Sequence, residues 1–141
     1  MNIRQAQPGD IPAIAALERE CFSDPWPADM IGRMLDNFTV ALEGEELAGY
    51  LALSSVLDEG NIDNVAVSPS FRRRGVADTL VADALRRSRE AGLAALMLEV
   101  RAGNIAARRL YEKHGFREVG RRKNYYERPR EDAILMTCFF L

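Results

Sequence analysis

Residues 60–67 form an apolar, strand-like run, a long amphipathic helical stripe follows, and residues 95–101 form a second apolar run. That order constrains the fold more than any other feature of the chain, because two strands joined through a helix pair in parallel. The second run, Ala95 to Val100, is apolar at both alternating positions until Glu99, which predicts a central strand covered on both sides. The helix between them begins near Arg73, sets Val76, Ala77, Leu80, Val81, Ala84 and Leu85 on one stripe, and stops at Gly92.

The remaining elements are read around this crossover. Asn2 to Ala6 makes a short strand, and Pro8-Gly9-Asp10 turns the chain so that Asp10 caps a helix carrying Ile11, Ile14, Leu17, Glu18 and Cys21. Ser23 to Pro27 is a rigid, partly aromatic loop, since its two prolines bias the residues before them away from the α region. A short helix from Ala28 to Leu35 precedes two strands, Phe38 to Leu42 and Leu47 to Ser55, joined by a hairpin turn at Glu43 to Glu46. Asn104 caps a helix whose stripe is Ala107, Leu110, Tyr111 and His114, and Gly115 ends it. Phe116 to Tyr126 and Ala133 to Phe140 are the last strands. The expectation is one α/β domain over residues 1–141, a mixed twisted sheet of about seven strands flanked by about four helices, antiparallel early and parallel at the crossover.

With 141 residues, 48% of them apolar, the chain is long enough to bury a core as one domain. A net charge of −2 gives no global attraction to nucleic acid or to an anionic membrane. Cys21 and Cys138 are far apart, no CxxC occurs, and the single histidine, His114, has no ligand-like neighbour. No metal site and a reducing, cytoplasmic setting are therefore expected, as is the lack of a membrane span, since no apolar stretch approaches the roughly 18 residues required.

Three features carry chemistry. Arg72-Arg73-Arg74-Gly75-Val76-Ala77 reads either as an exposed turn or as an anion cradle, in which Gly75 lets the backbone approach a bulky phosphate and the helix start aims unpaired N–H groups at it. Neither GxxxxGK[ST] nor an early GxGxxG is present. Glu99 is a candidate general base, because a carboxylate closing an apolar strand is costly to bury without a raised pKa or a partner; the alternatives are pairing with Arg101 or pointing into water. Tyr111 reads as core, with a hydroxyl that needs a partner if buried. The segment Arg121 to Asp132 mixes both signs with Tyr125 and Tyr126, which fits a solvated hairpin, a groove for an extended peptide, or weak contacts to RNA.

These residues together resemble the GNAT superfamily of N-acetyltransferases, and more closely its ribosomal-protein-alanine N-acetyltransferases of the RimI type. The superfamily pattern Q/R-x-x-G-x-G/A appears as Arg72, Gly75 and Ala77. The closer likeness rests on Leu98-Glu99-Val100-Arg101, Asn104, Leu110-Tyr111-Glu112, Gly115-Phe116, Asn124-Tyr125-Tyr126 and Glu131-Asp132-Ala133, and extends back to Pro25-Trp26. The resemblance implies that Val65, Ala66 and Val67 bind the pantetheine arm and acetyl carbonyl of acetyl-CoA, that Arg72, Arg73, Arg74, Gly75, Val76, Ala77 and Asp78 wrap its diphosphate, and that Asn104 contacts it. Asp78 departs from the pattern, in which the resemblance implies a basic residue at that place. Glu99 is implied as base and Tyr111 as acid, with Trp26, Tyr125 and Tyr126 framing the acceptor slot.

The implied reaction is acetyl transfer to a protein N-terminus, the alanine of a small-subunit ribosomal protein, without a metal, a membrane or a stable nucleic-acid partner. Transfer to internal lysines or a small amine is the rival among enzymes. A non-catalytic acyl-CoA sensor is the rival outside them.

Overall fold

The computed structural model describes residues 1–140. Its elements are β1 (Asn2–Gln5), α1 (Ile11–Cys21), α2 (Ala28–Arg33), β2 (Phe38–Glu43), β3 (Glu46–Val56), β4 (Glu59–Val67), α3 (Val76–Glu90), β5 (Ala95–Arg101), α4 (Ile105–Lys113), β6 (Arg117–Tyr126) and β7 (Glu131–Phe139). They make the expected mixed sheet of seven strands with four α-helices, in the order β1-β2-β3-β4-β5-β7-β6. β4 and β5 are joined in a parallel register, at Glu59 with Ala95, Gly60 with Leu96 and Asn61 with Met97. Contacts gather the chain into two units, residues 1–53 with 64–80 and residues 54–63 with the chain from Val81 on. The boundaries fall inside β3, β4 and α3 rather than in linkers.

In the first unit, Ile14 and Leu17 of α1 and Ile31 of α2 pack on Phe38, Val40, Tyr50, Ala52 and Ala66. Burying such side chains contributes about 1.5–3 kcal/mol each. Trp26, half-buried, meets Phe38 edge-on with centroids 5.9 Å apart. The β2–β3 turn is tight, with Gly44 at φ 63°. Beyond it the register slips, Ala41 facing Gly49 and Leu42 facing Leu47, so that Ala48 is an extra residue. The carbonyl of that bulge accepts the Ser68 N–H at 2.8 Å.

In the second unit, β7 runs antiparallel to β5 along its length, from Ala95 with Phe139 to Arg101 with Ala133. Leu96, Leu98, Phe116, Ile134 and Met136 are buried there. β6 is the edge strand and is almost wholly exposed, as the solvated-hairpin reading requires.

Two expectations change. α3 starts at Val76 rather than near Arg73, because Arg73 (φ 65°) and Gly75 (φ 76°) are left-handed and cannot join a right-handed helix. Asp10 does not cap α1 with its side chain. Its carboxylate instead accepts two bonds from Arg4, at 2.7 and 3.0 Å, and the Gln7 N–H at 2.7 Å.

Arg4 holds the Asp10 carboxyl below its ordinary range, burial opposes this, and the Gln7 N–H assists. A lowered carboxylate stabilises the fold above the unfolded value, near pH 4, and that contribution is lost as pH falls through the folded one. Asp10→Asn is therefore expected to cost about 1–2 kcal/mol at neutral pH, with the gap from wild type closing in acid denaturation below pH ~4. A gap that does not change with pH would contradict this.

Candidate functional site

The parallel ladder stops at Asn61 and Met97, while β4 runs on to Val67 and β5 to Arg101. Val65–Val67 and Glu99 both follow its end in their own strands. Ala66 turns into the first core, whereas Val65 and Val67 are half-buried. Gly49 of β3 lies against this stretch. A Cβ on it would stand 2.6 Å from the Ala66 carbonyl oxygen, 3.0 Å from Val76 Cγ1 and 3.4 Å from Val67 Cα, so no other residue fits without displacing β4.

The arginine turn uses much of its charge internally. Arg72 Nε donates to the Val67 carbonyl at 3.3 Å, and its Nη2 lies 3.7 Å from Cys21 Sγ. Arg74 lies over the Phe71 ring, 5.3 Å from its centroid. What the turn could offer an anion is main chain: the left-handed residues Arg73 and Gly75, then Val76 and Ala77 at the start of α3, where a helix leaves N–H groups without an intrahelical acceptor. The Asp78 carboxylate at this end favours the helix and opposes a second anion.

One residue of this unit that the sequence reading left without a role is Glu18. It is wholly buried. Its Oε1 accepts from the Tyr50 hydroxyl and from Asn64 Nδ2 (2.6 Å), and its Oε2 accepts the Trp26 N–H at 2.9 Å. The signal was a charged residue on the apolar stripe of α1.

In the second unit Glu99 is exposed, and its partner is Arg122, Nη2 to Oε1 at 3.5 Å, not Arg101. So exposed a pair contributes about 0–1 kcal/mol. Arg101 instead ties down the β6–β7 loop, donating to the Pro129 carbonyl at 2.9 Å and the Glu127 carbonyl at 3.0 Å, and lying 4.5 Å from the centroid of Tyr126. Glu131 pairs with Arg101 and accepts the Gly103 N–H at 2.6 Å, which joins that loop to the turn before α4. Asn104 caps α4 as expected, its side chain accepting from the Ala107 N–H at 3.2 Å.

Tyr111 is buried on α4, edge-on to Phe116. Burial, with a smaller push from Tyr126, moves its phenol up to about 12. Tyr126 is also raised, first by burial and then by the charge of Glu99. The second unit thus brings Glu99, Tyr111 and Tyr126 within electrostatic reach in sequence, Tyr126 coupling to both of the others. Tyr125 is exposed, its ring edge-on to Tyr126 at 5.1 Å. Trp26 belongs to the first unit. Among the described residues no three His, Cys, Asp or Glu side chains gather as a metal site would need, and no helix is long and apolar enough to cross a membrane.

Residues 11–116 match the acetyltransferase (GNAT) family. The chain is 36% identical to the [ribosomal protein bS18]-alanine N-acetyltransferase of Escherichia coli strain K12, over 96% of this chain and 95% of that protein. It is 33% identical to the protein of the same name from Haemophilus influenzae, over 97% of each. The crystal structure of the ribosomal-protein-S18-alanine N-acetyltransferase from Escherichia coli superposes with a TM-score of 0.91 at 32% identity, covering 98% of this chain and 92% of that one. Ard1 from Thermoplasma volcanium superposes with a TM-score of 0.89 at 28% identity, covering 99% and 97%.

Gly49→Ala is expected to destabilise the protein by about 1–3 kcal/mol, the range for forcing atoms into a filled space. Gly9→Ala, where an added Cβ meets nothing within 4 Å, serves as the control. Thermal melts showing the two variants equally stable would refute the close approach of β3 to Ala66.

Proposed function

The chain belongs to the GNAT family of acetyltransferases, and from that membership we propose that it transfers an acetyl group from acetyl-CoA to the N-terminal α-amine of a protein, the alanine of ribosomal protein bS18. The names of its relatives at 33% and 36% identity support the acceptor. The observation that carries the reading is the ladder that ends at Asn61 and Met97 while β4 continues into Val65–Val67 and the turn at Arg72–Asp78.

In this reading the main chain of Val65–Val67 holds the pantetheine arm and the thioester carbonyl, the N–H groups of residues 73–78 hold the diphosphate, and Asn104 contacts the cofactor. Trp26, Tyr125 and Tyr126 frame the acceptor. A free α-amine has a pKa of about 7.7–8.0, so near neutrality much of it is protonated and cannot attack. Glu99, exposed and paired with Arg122, takes that proton directly or through a water. The amine nitrogen then bonds to the carbonyl carbon, and an N–H near Val67 steadies the resulting oxyanion, an effect worth roughly 3 kcal/mol. Collapse breaks the C–S bond.

Tyr111 faces the departing thiolate. A phenol at about 12 stays protonated across the working range. Full transfer from it to a thiolate whose acid lies near 8.5 is uphill by roughly 5 kcal/mol. Its role is to donate a hydrogen bond as charge grows on sulfur and to pass the proton as the bond breaks. The setting is the cytoplasm, with no membrane and no stable nucleic-acid partner.

Incubating the protein with acetyl-CoA and peptides beginning Ala-Arg is expected to give N-terminally acetylated product by mass spectrometry. Turnover of lysine or a small amine with no N-terminal peptide modified would overturn the acceptor, and cofactor binding without any turnover would favour a sensor. Glu99→Gln is expected to lower kcat/KM by about 10²-fold near pH 7, with the deficit shrinking above pH ~8 as the amine deprotonates unaided. Tyr111→Phe is expected to lower kcat by about 10–100-fold and to leave the acetyl-CoA Kd nearly unchanged.

A further inference from the structure

We infer that Glu18 is a positioning residue that fixes the loop carrying Trp26 to the start of the acyl-binding stretch of β4 and thereby sets the acceptor slot, an inference that rests on the acetyltransferase reading above. An apolar side chain would fill this place in the core at no electrostatic cost, whereas a buried carboxylate costs several kcal/mol unless its oxygens are bonded. Here the donors come from three separate elements: Tyr50 on β3, Asn64 on β4 and Trp26 in the loop before α2. Asn64 immediately precedes Val65. At the far end of the same stretch, Arg72 bridges the Val67 carbonyl and Cys21 Sγ. The last turns of α1 therefore brace Val65–Val67 from both ends, and through Glu18 they also hold Trp26.

The choice of Trp26 N–H as the tether follows from the sequence around it. Pro25 and Pro27 have no N–H, so Trp26 supplies the one main-chain donor among these three residues. The loop has a single main-chain handle there, and Glu18 occupies it.

Glu18→Gln breaks this handle selectively. The glutamine oxygen in the place of Oε1 keeps Tyr50 and Asn64, while its NH2 in the place of Oε2 faces the Trp26 N–H donor to donor. The expected result is a KM for the Ala-Arg peptide raised roughly tenfold, the weight of one hydrogen bond to a charged group, with kcat and the acetyl-CoA Kd within about twofold of wild type. Trp26 is the single tryptophan, so its fluorescence reports the loop directly. Acrylamide is expected to quench it more strongly in Glu18→Gln than in wild type. Asp10→Asn is the control for a loss of stability alone and should leave both KM and quenching unmoved. A Glu18→Gln protein with unchanged peptide KM and unchanged quenching, or with only a lower Tm, overturns the proposal. A wild type that acetylates no N-terminal peptide overturns the acetyltransferase reading and the slot with it, and the quenching comparison then separately reports the tether.

Discussion

The parallel ladder between β4 and β5 lasts for three residue pairs, and both strands outlive it. Where a strand leaves its neighbour, its main-chain N–H and C=O groups need other partners or water. This chain satisfies part of that need itself, since Arg72 Nε donates to the Val67 carbonyl. Gly49 allows β3 to back the stretch closely, where any Cβ would press on the Ala66 carbonyl. The proposed function assigns the main chain of Val65–Val67 to a thioester, whose arm carries amides. Everything else in the site is then a matter of what is aimed at the carbonyl.

Two different strategies hold the flanking groups. In the first unit the brace is a wholly buried carboxylate whose hydrogen bonds operate in a medium that does not screen them, so losing one is costly and the geometry is well defined. In the second unit the holding groups are an exposed ion pair, Arg122 with Glu99, weak and easily displaced, and a half-buried ring contact, Arg101 with Tyr126. The proposed function makes Glu99 a base toward an incoming amine, a role the second arrangement serves better than burial would. Tyr111 is buried instead, and burial raises its phenol so that it stays protonated near neutrality.

Much of this was legible in the residues. The stripe of α3, the cap at Asn104 and the parallel crossover follow from local pattern, and they appear where pattern puts them. Four things were not. The start of α3 was misplaced because left-handed Arg73 leaves no mark in hydropathy. Asp10 was read as a cap because its competitor, Arg4, lies across a turn that local reasoning does not close. Of the readings open for Glu99, burial, pairing with Arg101 or pointing into water, the last fits its exposure, but its partner Arg122 depends on β7 lying between β5 and β6, an order no periodicity encodes. Nothing distinguishes Gly49 among ten glycines until β4 is seen against it.

Amide hydrogen exchange with and without acetyl-CoA tests the central claim most directly, since the claim concerns main-chain groups. The account predicts that binding slows exchange at Val65, Val67 and residues 73–78, while Leu51 in β3 and Ile134 in β7, already buried, change little. Binding of acetyl-CoA with no added protection at those positions, or with protection centred on another part of the chain, would contradict it.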